Sequence, residues 1–177
     1  MLAADGHGDL ASGLGGQTFF EPRGSEGLFP DVTLLGAELA ARDDLGHGLA
    51  WGLDLSVGGA SGSLRLPGLE PIRMRATEVA LGASLWRDWR LGRLTLSAGG
   101  RVAFLWLGRT FDAREQLPPQ YFFTATPGLT GAAAWRLGPR LSAVARVRAS
   151  WLFYNVDENR SLGYADALLG VEYALSD

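Results

Sequence analysis

The sequence contains no cysteine and no lysine. Its 177 residues carry 16 basic residues, all of them arginine, against 19 acidic residues, for a formal net charge of -3. The absence of cysteine excludes a disulfide framework and any cysteine metal site. The negative net charge argues against a nucleic-acid-binding protein, because such a protein must neutralise phosphates.

Long hydrophobic runs are also scarce. No stretch approaches the roughly 20 apolar residues of a membrane-spanning helix, and the best candidate, residues 79–86, is interrupted by glycine and serine. The first 16 residues carry Asp5 and Asp9 but no arginine, which is not the pattern of a secretory signal peptide. The length fits one folded domain, residues 1–177.

What the sequence has in abundance is alternation of apolar and other residues, the period-2 pattern of a strand with one apolar face. From Leu141 to Phe153 every odd-numbered residue is apolar, whereas Arg146 and Arg148 occupy even positions. From Leu94 to Trp106 the even positions carry no polar side chain. The pattern recurs and predicts eight strands, at residues 9–20, 33–41, 49–57, 77–85, 94–106, 121–135, 141–153 and 163–175.

The connections between these strands alternate in length. The three short, glycine-containing turns are predicted at residues 42–48, 88–93 and 136–140. The four longer connections are predicted at residues 21–31, 58–71, 109–120 and 155–161. A Leu-Gly pair recurs every 46 residues, at 45–46, 91–92 and 137–138. Each repeat therefore contains a strand, a tight turn, a second strand and a long loop, which predicts an up-and-down meander.

The composition of the two strand faces indicates which one points outward. The polar face consists mainly of glycine, alanine, serine and threonine with one or two charges per strand, whereas a water-facing exterior is about a quarter or more charged. The other face carries tryptophan and phenylalanine, which would promote aggregation in water. The sequence therefore predicts an all-β fold, an eight-stranded antiparallel up-and-down transmembrane β-barrel, with its apolar face toward lipid.

Aromatic residues form two bands, as expected for the two membrane interfaces. Phe123 and Trp135 are 12 residues apart on one strand. That separation is roughly 40 Å along the strand, and a tilt of about 40° shortens it to roughly 30 Å across the membrane. The predicted girdles comprise Trp51, Trp89, Trp135 and Tyr173 near the short turns, and Trp106, Tyr121, Phe123, Trp151 and Phe153 near the long loops.

This pattern resembles the small eight-stranded outer-membrane barrels of bacteria, the OmpA- and OmpX-like group, over nearly the whole chain. The last strand is similar to their terminal assembly signal through Gly170, Tyr173 and Leu175, although Leu169 stands where a polar residue is usual. The resemblance implies a bacterial outer-membrane location with periplasmic termini and long loops outside the cell. It also implies contacts with outer-membrane lipid, lipopolysaccharide and the barrel assembly machinery.

Charged residues on the inward face are expected to need partners, because an unpaired buried charge costs several kcal/mol by rough estimate. We expect Arg146 and Arg148 to pair with Asp166 and Glu172 on the neighbouring strand. The main hypothesis is a salt-bridge network that seals the lumen, and the alternative is a cation-preferring ion path. The predicted lumen charges are Glu38, Asp54, Glu78, Arg101, Arg146, Arg148, Asp166 and Glu172.

No catalytic centre, cofactor or metal site is predicted. Some barrels that resemble this one act on lipid A, and such a hydrolase needs a nucleophile, a histidine and a carboxylate near the outer leaflet. His47 lies in a short turn and His7 precedes the first strand, so both are expected at the opposite, periplasmic end. The sequence therefore does not favour an enzyme.

The predicted function is a structural membrane anchor or interaction platform, with an extracellular or periplasmic protein as a possible partner. The alternatives are a narrow channel for ions or small solutes and a soluble lipocalin-like binder of small molecules. Arginines on or beside the long loops are candidates to bind lipopolysaccharide phosphates or to anchor the barrel at the interface. These are Arg65, Arg73, Arg75, Arg109 and Arg114.

Overall fold

The structure, a computed structural model, describes residues 8–20, 33–64, 70–112, 117–155 and 159–175. These residues form eight antiparallel strands that close into a barrel in sequential order, which confirms the predicted fold class. The strands are β1 (Gly8–Phe20), β2 (Leu34–Gly46), β3 (Leu49–Leu64), β4 (Ile72–Leu91), β5 (Leu94–Phe111), β6 (Gln120–Arg136), β7 (Leu141–Asn155) and β8 (Asn159–Ala174). Over the described ranges, no helix is long and apolar enough to cross a membrane.

The two faces of the barrel differ as the alternation predicts. On β7, the outward-facing Val147 is 59% exposed, whereas its neighbour Arg148 is only 6% exposed and faces the lumen. Trp151 and Leu96 also lie on the exposed outer surface. A lipocalin would have the reverse arrangement, with apolar residues inside and charges outside. The outside of this barrel is therefore suited to hydrocarbon and its centre to charge.

Several strands extend further toward the long loops than the sequence indicates. Residues 58–64 and 109–111 were expected in loops but belong to β3 and β5, and β4 begins at Ile72 instead of residue 77. The alternation of apolar residues stops before these extensions because outward positions in them carry polar residues. The polar outward residues are Ser61, Ser63, Arg73 and Arg75. In the last predicted connection, 155–161, residue 155 belongs to β7 and residues 159–161 belong to β8. Most of the remaining residues of the long connections lie outside the described residues.

The short turns follow the Leu-Gly repeat but are tighter than predicted, because residues 42–46 belong to β2 and residues 88–91 belong to β4. Gly46 and His47 have φ angles of 83° and 55°, and Gly92 has a φ of 63°. These left-handed conformations suit tight hairpin turns and favour glycine. The third turn contains Pro139 and is wider, with the Leu137 amide donating to the Leu141 carbonyl oxygen at 2.8 Å. The repeat thus sets all three turns at one end of the barrel.

Candidate functional site

The middle of the lumen contains a layer of paired charges, which we call the charged layer. Its members lie on five strands, and all of them are buried. Such burial is tolerated only where carboxylates and guanidinium groups satisfy one another. The charged layer consists of Glu38, Asp54, Arg101, Arg146, Arg148 and Asp166.

Arg148 is the centre of the charged layer. Its Nη1 lies 2.5 Å from Glu38 Oε2 and 3.1 Å from Asp54 Oδ1. Its Nε donates to Asp166 Oδ1 at 2.7 Å, between directly opposite residues of β7 and β8. One guanidinium therefore contacts carboxylates from β2, β3 and β8. The expected pairing of Arg148 with Asp166 is present in the structure.

Arg101 adds a bidentate contact to the charged layer. Its Nε donates to Asp54 Oδ2 at 2.9 Å, and its Nη2 donates to Asp54 Oδ1. Gly82 lies beside this ion pair, and a methyl group at Gly82 would collide with both side chains. The absence of a side chain at Gly82 therefore makes room for the Arg101–Asp54 pair, a role that the sequence pattern did not reveal.

The expected pairing of Arg146 with Glu172 is wrong. Arg146 Nη1 instead donates to Glu38 Oε1 on β2. The register explains the difference, because Arg146 lies opposite Leu168 on β8, whereas Glu172 lies opposite Ser142. Glu172 is thus nearer the short turns than Arg146 along the strand pair.

Glu78 lies at the same depth in the lumen as the charged layer, but it takes no part in the ion pairs of that layer. Its side chain is buried, and its Oε2 has no hydrogen-bond partner among the described residues. The buried Gln17 Nε2 is also without one in that part of the chain. Both line a cavity of about 30 Å³, which is large enough for a water molecule. The three arginines of the charged layer therefore face four buried carboxylates when Glu78 is included.

Toward the long loops, most of the large buried side chains in the lumen are apolar. Directly beyond the charged layer lies a cluster that we call the apolar layer, in which the Tyr164 hydroxyl also contacts Thr126 Oγ1 at 3.0 Å. The sequence predicts an inward face of mainly small and polar residues, and this layer instead lies where continuous apolar runs, such as residues 102–107, obscure the alternation. The apolar layer includes Phe19, Leu34, Leu105, Leu107, Leu152, Leu162 and Tyr164.

Toward the short turns, Trp86 faces the lumen beneath the charged layer. The guanidinium groups of Arg42 and Arg146 lie 5.3 Å and 5.6 Å from the centre of its ring, within the range of cation–π contacts. Trp86 was not predicted, although its even position on β4 places it on the same face as Glu78. Below it, the lumen widens into a cavity of about 310 Å³ that Glu172 helps to line.

The predicted girdle residues lie on the outer surface of the barrel, and side chains of the last strand alternate between its two faces. Phe123 stacks on Phe104 with ring centres 6.0 Å apart, and Trp106 stacks on Tyr121 at 5.8 Å. Gly170 faces the lumen, whereas Tyr173 and Leu175 are exposed on the outside. The other girdle side chains are also exposed on the outer surface, namely Trp51, Trp89, Trp135, Tyr121, Trp151 and Phe153.

The arginines predicted near the long loops differ in position. Arg73 and Arg75 are exposed on the outside of β4, opposite Ser63 and Ser61 of β3. Arg109 is only 3% exposed, and its guanidinium contacts the Gln120 side chain and the rings of Phe111 and Phe122. A role for Arg109 in binding lipid phosphates is therefore wrong, because its odd position on β5 turns it inward. Arg65, Arg114 and His7 lie outside the described residues, and His47 is exposed in its turn.

No protein-family model and no curated protein matches the chain. Solved structures share its fold at low sequence identity. Neisserial surface protein A (NspA) is 10% identical with a TM-score of 0.70, and the match covers 94% of this chain and 96% of NspA. A major outer membrane protein from Thermus thermophilus is 18% identical, with a TM-score of 0.58 and coverage of 95% and 99%. The Yersinia pestis protein Ail, in complex with the heparin analogue sucrose octasulfate, is 15% identical, with a TM-score of 0.54 and coverage of 96% and 99%. The chain has the fold of small outer-membrane β-barrels.

Proposed function

We propose that residues 1–177 form one barrel domain in the bacterial outer membrane that serves as a structural anchor or interaction platform. The apolar outer surface and its aromatic bands support a membrane location. The observation that carries the proposed role is the contact of Arg148 with three carboxylates in the middle of the lumen. A transport pathway through the barrel would need this space.

Two successive barriers in the lumen support the proposal that it is closed. The ion pairs of Arg148 join β7 to β2, β3 and β8 and so cross the interior of the barrel. Beyond them, an ion would have to pass between the tightly buried side chains of the apolar layer, such as Leu105 and Leu152. An apolar constriction excludes hydrated ions. These two barriers favour an anchor over the alternative of a narrow channel.

Planar bilayer recording tests the closed lumen. We expect the refolded protein to give no single-channel steps, and Arg148→Glu to lose stability without gaining conductance because the apolar layer remains. Arg90→Glu, which changes an exposed ion pair instead, is the matched control. A wild-type conductance that Arg148→Glu alters and Arg90→Glu leaves unchanged would identify a channel. Unchanged stability and unchanged conductance of Arg148→Glu would contradict both roles.

We propose that both termini face the periplasm and that the long loops lie outside the cell. Short turns at one end and longer connections at the other are the usual asymmetry of such barrels. An epitope inserted within residues 65–69 should bind antibody on intact cells, whereas the same epitope between His47 and Gly48 should bind only after permeabilisation. The reverse labelling would contradict this orientation.

Arg73 and Arg75 are proposed to bind lipopolysaccharide phosphates. They are exposed at alternate positions on the outside of β4, beside the hydroxyl-bearing Ser61 and Ser63, and guanidinium groups bind phosphate through paired hydrogen bonds. The double variant Arg73→Gln/Arg75→Gln should retain less lipopolysaccharide on copurification than wild type. Arg87→Gln, which removes an exposed arginine at the short-turn end, should retain the wild-type amount. Equal retention in all three proteins would contradict the proposal.

We propose that the barrel assembly machinery recognises the last strand through Gly170, Tyr173 and Leu175. We also propose that the long loops bind an extracellular protein partner. Support for the first proposal is the exposure of Tyr173 and Leu175 on the outside of the last strand. Tyr173→Ala should slow membrane insertion in cells, whereas Trp135→Ala, in the same aromatic band, should slow it less. Equal insertion rates for both variants would contradict a specific signal.

A further inference from the structure

We propose that the cavity at the short-turn end binds a compact phosphate-bearing anion. This cavity, which we call the vestibule, has a volume of about 310 Å³ and lies below Trp86, which is buried. It is open at the end opposite the long loops, so its contents are separated from them by both lumen layers. Six arginines line it, namely Arg42, Arg90, Arg93, Arg136, Arg140 and Arg146.

Some of these arginines are already neutralised by acids of the barrel. Arg42 forms an ion pair with Asp88, and Arg90 Nη2 lies 3.2 Å from Asp44 Oδ2. Arg146 is paired with a carboxylate of the charged layer. These arginines stabilise the wall and contribute little uncompensated charge.

Arg93 and Arg136 are different. Neither side chain has a hydrogen bond or ion pair with another residue in the part of the chain that the structure describes, and both residues line the vestibule with exposed side chains. Their backbones are adjacent, since the Arg136 amide donates to the Arg93 carbonyl oxygen at 2.9 Å. Two cations on one wall repel each other, and an anion bound between them would remove that repulsion. The vestibule thus offers two arginines that have no carboxylate partner among the described residues.

The sequence repeat explains why this wall is basic. The segments Trp89–Leu94 and Trp135–Leu141 share Trp-Arg-Leu-Gly followed by a further arginine, whereas Asp44 stands at the position of the first arginine in the first repeat. The basic residues therefore gather at the second and third short turns. The acids Asp9 and Glu172 lie on β1 and β8, on another part of the wall.

This arrangement fits a phosphate group best. Guanidinium groups match the oxygens of phosphate through paired, charge-assisted hydrogen bonds, and the hydroxyl-bearing Thr95 and Ser142 also line the vestibule. The carboxylates elsewhere on the wall would repel a long polyanion, so the ligand should carry its charge at one compact end. A phosphate ester or inorganic phosphate meets these conditions.

Calorimetric titration of the folded barrel in neutral maltoside micelles tests the proposal, with inorganic phosphate and pyrophosphate as probes. Saturable binding is expected at low ionic strength. Arg93→Gln/Arg136→Gln should weaken it at least about tenfold, because each lost charge-assisted hydrogen bond contributes substantially. Arg87→Gln is the matched control: it removes an exposed arginine at the same end that points outward and donates to the His47 carbonyl oxygen at 2.7 Å. Circular dichroism confirms that each variant is folded.

A second titration, with a short-chain phosphatidic acid below its micelle concentration, distinguishes the two sources of phosphate. Binding of the inorganic probes at comparable strength indicates a soluble ligand, and binding of the lipid alone indicates a headgroup; both support the vestibule as a phosphate site if the double variant weakens them. The proposal is overturned if no probe binds saturably, or if Arg87→Gln weakens binding as much as the double variant does.

Discussion

Glu38 on β2 and Arg146 on β7 form an ion pair inside the lumen, although 108 residues and two intervening strands separate them. The same carboxylate contacts Arg148 at 2.5 Å. Glu38 therefore receives both arginines of β7 and connects the first half of the barrel to the second. Such a contact depends on the closed barrel, because β2 and β7 approach each other only when β8 pairs with β1.

A double-mutant cycle on Glu38→Gln and Arg146→Gln should show a coupling free energy of about 1 kcal/mol or more, because the two groups are buried and in direct contact. Urea unfolding in micelles, followed by tryptophan fluorescence, measures it. The cycle of Arg146→Gln with Glu172→Gln should show a smaller coupling free energy, because Arg146 contacts Glu38 directly whereas Glu172 lies opposite Ser142. Stronger coupling to Glu172 than to Glu38 would contradict the observed pairing.

Replacement of Arg148 by methionine should lower the free energy of unfolding by about 3–5 kcal/mol, because it leaves buried carboxylates without their shared cation. Arg90→Met is the matched control. Its pair with Asp44 is at the surface, where the Arg90 side chain is 70% exposed, and such pairs contribute about 0–1 kcal/mol. Equal losses in the two variants would show that the charged layer has no special role in stability.

The alternation in residues 141–153 was sufficient to predict β7 and the inward direction of Arg146 and Arg148, since side chains of a strand must alternate between faces. It was not sufficient to predict the partner of Arg146. Pairing within the lumen depends on the stagger of the strands around the barrel, and that stagger places Glu172 nearer the short turns. Sequence reasoning therefore identified the charged residues but misassigned one contact.

The alternation does not reveal the apolar layer for a related reason. Leu105 and Leu152 lie at inward positions, but their neighbours are also apolar, so the period-2 signal disappears where both faces are hydrophobic. Ser61 and Arg73 are the opposite case: they are polar residues that face outward, and they lie beyond the aromatic band. Alternation predicts which face a side chain is on, but it marks the faces clearly only within the membrane.

Gly170→Ala should destabilise the seam that closes the barrel. Gly170 lies opposite Gly13, and a methyl group at Gly170 would overlap the Ser12 carbonyl oxygen. The backbone must shift, and such overpacking costs about 1–3 kcal/mol. Gly100→Ala is the control, since its added methyl group would meet no atom within 4 Å on the outside of β5. If chemical unfolding gives equal stability for both variants, the close approach at this seam has no energetic effect.

Arginine substitutions at two depths on one strand test whether the apolar surface lies in lipid. Leu85 and Leu91 both point outward from β4 and are 56% and 59% exposed, but Leu85 lies midway between the aromatic bands whereas Leu91 lies beyond Trp89. In lipid vesicles, Leu85→Arg should cost about 2–4 kcal/mol of unfolding free energy and Leu91→Arg about 0–1 kcal/mol, because only the first places a charge at the bilayer midplane. In a water-exposed barrel the two variants would behave alike, so equal unfolding midpoints would contradict a membrane-spanning barrel.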